Sequence, residues 1–148
     1  MRHIDQEKRT SSLMHAQVVA HKLHDLGLGS IKSGTSLFER AKETAKVVAP
    51  ILGLSEEIDG YIELMPQGEC LPEDQRTDLI ELTQGVVEDT FIWFTHAPII
   101  RLFPCEFCEE VLGMSWGTQE IDFTEAIVID VEAKTCTIID WSMPPTWD

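Results

Sequence analysis

Thr90-Phe91-Ile92-Trp93-Phe94-Thr95-His96-Ala97-Pro98 is the stretch on which the fold turns. Four consecutive large apolar residues of β-favouring type predict a strand buried on both faces. The strand stops at a threonine, a histidine and a proline. Ligands in open α/β sheets collect just beyond the carboxyl ends of strands, so His96 stands where a site would be. The plain alternative is a capped strand end whose histidine bonds only the backbone. The choice depends on what else the chain brings to that edge.

Working back from this strand, Gln75 to Gly85 reads as a helix. Ile58 to Leu64 alternates as a strand that ends at Glu63, followed by a Met65-Pro66-Gln67-Gly68 turn. Ser36-Leu37-Phe38-Glu39 has the capping-box form that starts a helix. That helix runs to about Leu52 with Phe38, Ala41, Ala45, Val48 and Leu52 as its buried stripe. Arg40 lies in its first turn, where a guanidinium and the free N–H groups can share one anion. Pairing with Glu39 or Glu43 is the alternative for this arginine. Gly29 to Thr35 predicts a short, weak strand, Leu13 to Leu26 a helix, and the charged segment to Ser12 a loop. Beyond the central strand, Ile99 to Leu112 is helical with an interruption at Pro104, and Gly113 to Phe123 is loop. Ala126 to Val131 and Cys136 to Trp141 form a hairpin, and the tail from Met143 is irregular. The alternation of helix and strand predicts an α/β sandwich with a mixed sheet, residues 1–148 forming one domain.

The chain has 148 residues and a formal charge of −15. That charge argues against nucleic acid and against an anionic membrane surface. A phosphate site would have to gather the few cations in one place. No apolar run approaches the roughly 18 residues of a membrane span, and the polar start lacks a signal-peptide core. A cytoplasmic protein with reduced thiols is expected. Of the four cysteines, Cys105 and Cys108 form a lone C-x-x-C without the further ligands of a zinc site. The spacing reads as fortuitous, with a redox or metal role as the alternative.

Polar residues fall at element ends: Arg2 and His3 at the start, Arg40 at a helix N-terminus, Glu63 and His96 at strand ends. Two histidines, two arginines and a carboxylate suit phosphoryl transfer through a phosphohistidine. A neutral imidazole attacks phosphorus, and arginines bind its oxygens in forked geometry. A protonated second imidazole stabilises the transferring group, and a carboxylic acid protonates the leaving atom. These cations neutralise the charge with no metal and no cofactor required.

In this order the residues resemble the histidine phosphatase superfamily, the phosphoglycerate-mutase-like phosphatases. Arg2-His3-Ile4 resembles that family's R-H-G. Ser36 to Ala45 resembles its S-P-x-x-R-A-x-x-T-A, Glu63 to Gly68 its acid-bearing segment, and Thr95-His96-Ala97-Pro98 its second histidine. Small size, the E-L-x-P-x-G form and Trp141-Ser142-Met143-Pro144 are most similar to the SixA-type phosphohistidine phosphatases. The resemblance implies a three-layer α/β/α sandwich with a mixed, mostly parallel sheet. It implies His3 as nucleophile, Arg2, Arg40 and His96 as the phosphate pocket, and Glu63 as proton donor. It further implies a phosphate-bearing substrate, foremost a phosphorylated histidine-containing protein, with no nucleic-acid or membrane partner.

Three features differ from the family pattern. Ile4 replaces the glycine after the histidine, and is expected to crowd the phosphate and to resist φ > 0. Thr10 to Met14 replaces a glycine-bearing segment. Only Met1 precedes Arg2, where the family has an apolar first strand in mid-sheet. That strand is therefore expected to be missing or truncated, each lost apolar residue forfeiting about 1.5–3 kcal/mol, and the natural protein to start further upstream. The competing functions are a small-molecule phosphomonoesterase, an inactive phosphate- or partner-binding domain, and a redox protein acting through Cys105 and Cys108.

Overall fold

The structure, a computed structural model, describes residues 1–55 and 57–143. The expected irregular tail from Pro144 onward, including the proline of the Trp141–Pro144 motif, lies outside the described residues.

The first helix, α1, is Arg9–Asp25, beginning at Arg9 rather than Leu13. Its added first turn is polar yet held. The Ser12 hydroxyl accepts the Asp5 N–H at 2.8 Å, and the Ser12 N–H reaches the Lys8 carbonyl at 2.9 Å. Polar residues have adequate helix propensity once such contacts exist. Ala16, Val19, Ala20 and Leu23 are its buried apolar residues.

Strands β1 (Ile31–Thr35), β2 (Asp59–Gly60) and β3 (Thr90–Phe94) form a parallel sheet in the order β2-β1-β3. The weak strand β1 is thus the middle one, and β3 is half-buried at Phe91 and Trp93. Side chains alternate across the sheet with the strand period of two. Ile92 and Phe94 join α1 and α2 (Glu39–Ile51) in one core. Trp93 joins α3 (Glu73–Gln84) and α4 (Ala97–Glu110) in the other. This is the three-layer α/β/α arrangement. The hairpin β4 (Ala126–Asp130) and β5 (Thr135–Ile139) is antiparallel and divides its side chains in the same way. Ala126, Val128 and Ile139 face the first core; Ile129 and Cys136 face the second.

Residues 1–3 occupy the end of the first-strand position. The N-terminal ammonium donates to the Trp93 carbonyl at 2.5 Å. The Thr95 N–H donates to Met1 O at 2.9 Å and His3 N–H to Thr95 O at 3.1 Å, giving a parallel bridge between Arg2 and Thr95. On the other side Arg2 N–H donates to Glu125 O and Thr124 N–H to Arg2 O. Three residues therefore couple the parallel sheet to the segment that leads into the hairpin.

Two element readings are corrected. The strand expected from Ile58 to Leu64 is only Asp59–Gly60, followed by one turn of 3-10 helix, Ile62–Leu64. The Tyr61 N–H still bonds Thr35 O, but Gln75 then captures the Glu63 and Met65 carbonyls, so the backbone turns instead of extending. In α4, Pro104 does not interrupt the helix. Ile99, Phe103, Phe107 and Cys108 are buried on both sides of it, and that packing outweighs the one lost hydrogen bond. No helix among the described residues is long and apolar enough to cross a membrane.

Because β1, β2, β3 and residues 1–3 all run parallel, their carboxyl ends lie on one edge of the sheet. The N-termini of α2 and α4 start there, so His3, Arg40, Glu63 and His96 are carried to the same side.

Candidate active site

The His3 ring is anchored at both nitrogens. Nδ1 lies 2.6 Å from the Ile4 carbonyl, and Arg40 Nε donates to Nε2 at 3.2 Å. A guanidinium cannot accept a hydrogen bond. The contact therefore fixes the tautomer: Nδ1 carries the proton, and Nε2 turns its lone pair toward Arg40. The His96 ring lies 4.8 Å from the His3 ring, centroid to centroid. It is 2% exposed. Its Nε2 meets the Ser36 hydroxyl at 2.6 Å, while its Nδ1 is buried without a partner among the described residues.

Arg40 reaches His3 rather than either nearby glutamate. Glu43 pairs with Arg9, and Glu39 with Lys42. The Arg40 guanidinium also lies over the Phe38 ring at 4.8 Å, and Phe38 meets the His96 ring edge-on at 5.2 Å. Arg2 is held beside the pair. Its guanidinium stacks 3.9 Å from the Phe123 ring centre and donates to Ile121 O at 2.5 Å, and Phe123 packs 5.4 Å from His3. The Arg2 Nε is buried and unpartnered among the described residues. Glu63 shares the edge, but among the described residues its carboxylate makes no hydrogen bond or ion pair. The structure thus brings His3, His96 and Arg40 into contact, sets Arg2 against them through Phe123, and leaves the Glu63 carboxylate uncommitted.

Ile4 does not crowd this cluster. It takes no positive φ. Its side chain is fully buried in the core with α1 and α2. The chain at this point is set by Thr44, whose hydroxyl accepts the Ile4 N–H at 2.9 Å and donates to Arg40 O at 2.8 Å. One buried hydroxyl so aligns both the His3–Ile4 segment and the Arg40 segment. Thr44→Val is expected to strand the Ile4 N–H and cost about 1–3 kcal/mol. Thr44→Ser keeps the bond and should lose less, as urea unfolding would show.

Sequence reasoning missed two residues. Ser36 has the capping-box spacing, yet α2 has Phe38 at its N-cap and no side-chain cap. Ser36 is fully buried and spends its hydroxyl on His96, a contact invisible to local spacing. Thr124 is buried at φ 67°, a conformation costly for a β-branched residue. Its N–H bonds Arg2 O and His3 O, which ties the 113–125 segment to the Arg2–His3 backbone. No local signal marked it.

Burial is the main reason both imidazoles titrate low. The His3 pKa falls to about 4, with Arg40 and Arg2 adding to the drop against the opposing Ile4 carbonyl and Asp5. The His96 pKa falls to about 3, with His3, Arg40 and Arg2 contributing. Both rings are neutral at neutral pH, the state an attacking nitrogen needs. The second ring, expected as an imidazolium, is neutral in the free site. The unfolded chain binds more protons than the folded one below the ordinary histidine value of 6.5. Stability therefore rises with pH through this window and is lost as pH falls. The urea midpoint should drop between about pH 7 and about pH 5, and drop less in a His3→Asn/His96→Asn double variant.

Among the described residues no group of three or more His, Cys, Asp or Glu is placed to hold a metal ion. No protein-family model and no curated protein sequence matches the chain. Among solved structures the chain is similar to the protein histidine phosphatase SixA complexed with tungstate, at 18% identity and a TM-score of 0.71, over 95% of this chain and 94% of that one. The two share a fold, and it is the one implied by the ordered Arg2-His3, Arg40, Glu63 and His96 positions.

Proposed function

We propose that this chain is a phosphatase that needs no metal, with His3 Nε2 as nucleophile and a protein phosphohistidine as substrate. The observation that carries the reading is the pair of bonds on His3, from Arg40 Nε to Nε2 and between Nδ1 and the Ile4 carbonyl. They hold a neutral imidazole with its lone pair toward a guanidinium, where an incoming phosphoryl group would sit. Likeness in fold to a protein histidine phosphatase holding tungstate, a tetrahedral oxyanion, supports the same reading.

His3 Nε2 forms a bond to phosphorus as the bond to the leaving imidazole nitrogen of the substrate breaks. That nitrogen takes its proton from Glu63, whose carboxyl has no other partner among the described residues. Water then attacks the phosphoryl group on His3, returns a proton to Glu63, and releases inorganic phosphate. Arg40 and Arg2 bind the equatorial oxygens. With the Ser36 hydroxyl donating to Nε2, His96 carries its proton on the unpartnered Nδ1 and offers it to the oxyanion. The arriving negative charge raises the affinity of His96 for a second proton.

A specific observation favours a protein substrate over a small one. Leu37, Phe38 and Ile62 are exposed around this edge, Ile62 at 71%. Phe38 touches His96, and Leu37 packs on Gly60 and bonds Met65. An apolar rim around a charged pocket suits a protein surface. The test is a histidine-phosphorylated phosphotransfer protein, assayed for release of inorganic phosphate. Release from that protein, with little from a sugar phosphate, is the expected result. The reverse selectivity would reassign the substrate to small phosphomonoesters. Binding of phosphate with neither activity would mean a non-catalytic domain.

A further inference from the structure

Cys108, on α4, is fully buried, and Cys136, on β5, is half-buried. Their sulfurs lie 3.0 Å apart, inside ordinary sulfur–sulfur contact, although the residues are 28 positions apart in sequence. Both side chains must therefore point at each other across the second core. The geometry points to Cys108 and Cys136 as an oxidisable pair that closes a disulfide between α4 and β5 when a small disulfide, such as oxidised glutathione, supplies the oxidising equivalents. This reading is independent of the proposed phosphatase chemistry.

The chain's local motif pairs different residues. Cys105 and Cys108 have the C-x-x-C spacing, but on a continuous helix their Cβ atoms are about 5–6 Å apart. A disulfide wants about 3.5–4.5 Å between Cβ atoms. The intrahelical bridge would have to unwind α4; the α4–β5 bridge needs the sulfurs to close by about 1 Å.

The order of steps follows from burial. Burial, and then the neighbouring Cys136 sulfur, push the Cys108 thiol up to about 12, so it stays protonated. The Cys136 sulfur is the one a reagent reaches. As a thiolate it attacks one sulfur of the small disulfide, forming a mixed disulfide and expelling one thiolate. Cys108 then gives up its proton and attacks the Cys136 sulfur, expelling the second thiolate. Two protein thiols and one disulfide become one protein disulfide and two small thiols. The closed loop contains Ile121, Phe123 and Thr124, the residues that hold Arg2 and pack on His3.

The test equilibrates the folded chain with oxidised glutathione, alkylates the remaining thiols and digests with trypsin. Cleavage at Arg101 and Lys134 puts Cys105 and Cys108 in peptide 102–134 and Cys136 in peptide 135–148. The expected result is these two peptides joined, separating on reduction. The link should survive Cys105→Ser and vanish in Cys136→Ser. Peptide 102–134 carrying an internal Cys105–Cys108 bridge would overturn the proposal. So would recovery of Cys136 only alkylated or only as its glutathione adduct.

Discussion

His3→Ala is expected to lower hydrolysis of protein phosphohistidine by about 10,000-fold or more, with loss of any phosphoenzyme. The magnitude follows from the geometry of one ring. His3 Nε2 is the unprotonated nitrogen of a neutral imidazole, oriented by Arg40 on one side and the Ile4 carbonyl on the other. No other nitrogen in the cluster is so placed. His96 Nε2 is engaged by Ser36, and its Nδ1 faces no donor that would steer it. A labelled phosphohistidine donor, followed by mapping of the acid-labile phosphate, checks the prediction. Label on His96 with His3 unlabelled would reverse the two roles, and a His3→Ala variant of near-normal rate would end the phosphohistidine mechanism. The urea midpoint of the variant should change far less than its activity, because His3 sits at the pocket rather than in either apolar core.

Arg40→Ala is expected to cost about 1,000-fold in kcat/KM, and Arg40→Lys about 100-fold. Arginine does two things here. Its Nε–H fixes the His3 tautomer, and on the proposed reading its Nη groups bind phosphoryl oxygens. A lysine supplies charge as a point and cannot do both in fixed geometry. The loss should fall on kcat as well as KM, because an imidazole that has lost its steering contact is misaligned even when substrate is bound. A variant that raised KM alone would make Arg40 a docking group. A variant within about threefold of the parent would remove it from the site.

That His3, Arg40 and His96 of the candidate site would meet was legible in the chain. His96 followed from a strand that ends in a histidine, and Arg40 from a cation where the helix dipole disfavours one. In the structure Arg9 pairs Glu43 and Lys42 lies near Glu39, while Arg40 bonds His3 instead of its surface alternative. Other parts could not be read. The Ser36 hydroxyl was assigned to its own helix because capping is local, whereas its partner is 60 residues away. The C-x-x-C drew attention to Cys105, but the sulfur that touches Cys108 comes from another strand. Ile4 looked obstructive because a glycine was expected. Its actual place depends on Thr44 capturing its N–H and on a core that takes its side chain.

Sequence alone determined the alternation of helix and strand and the strand that ends at His96, because apolar periodicity and charge placement are properties of short windows; it did not fix the turn at Ile62–Leu64 or the start of the first helix. Tertiary structure alone decided that the weak strand Ile31–Thr35 lies in mid-sheet, that three terminal residues join sheet to hairpin, and which nitrogen of His3 bears the proton. Those outcomes depend on hydrogen bonds between segments distant in the chain, and such bonds leave no local pattern to read.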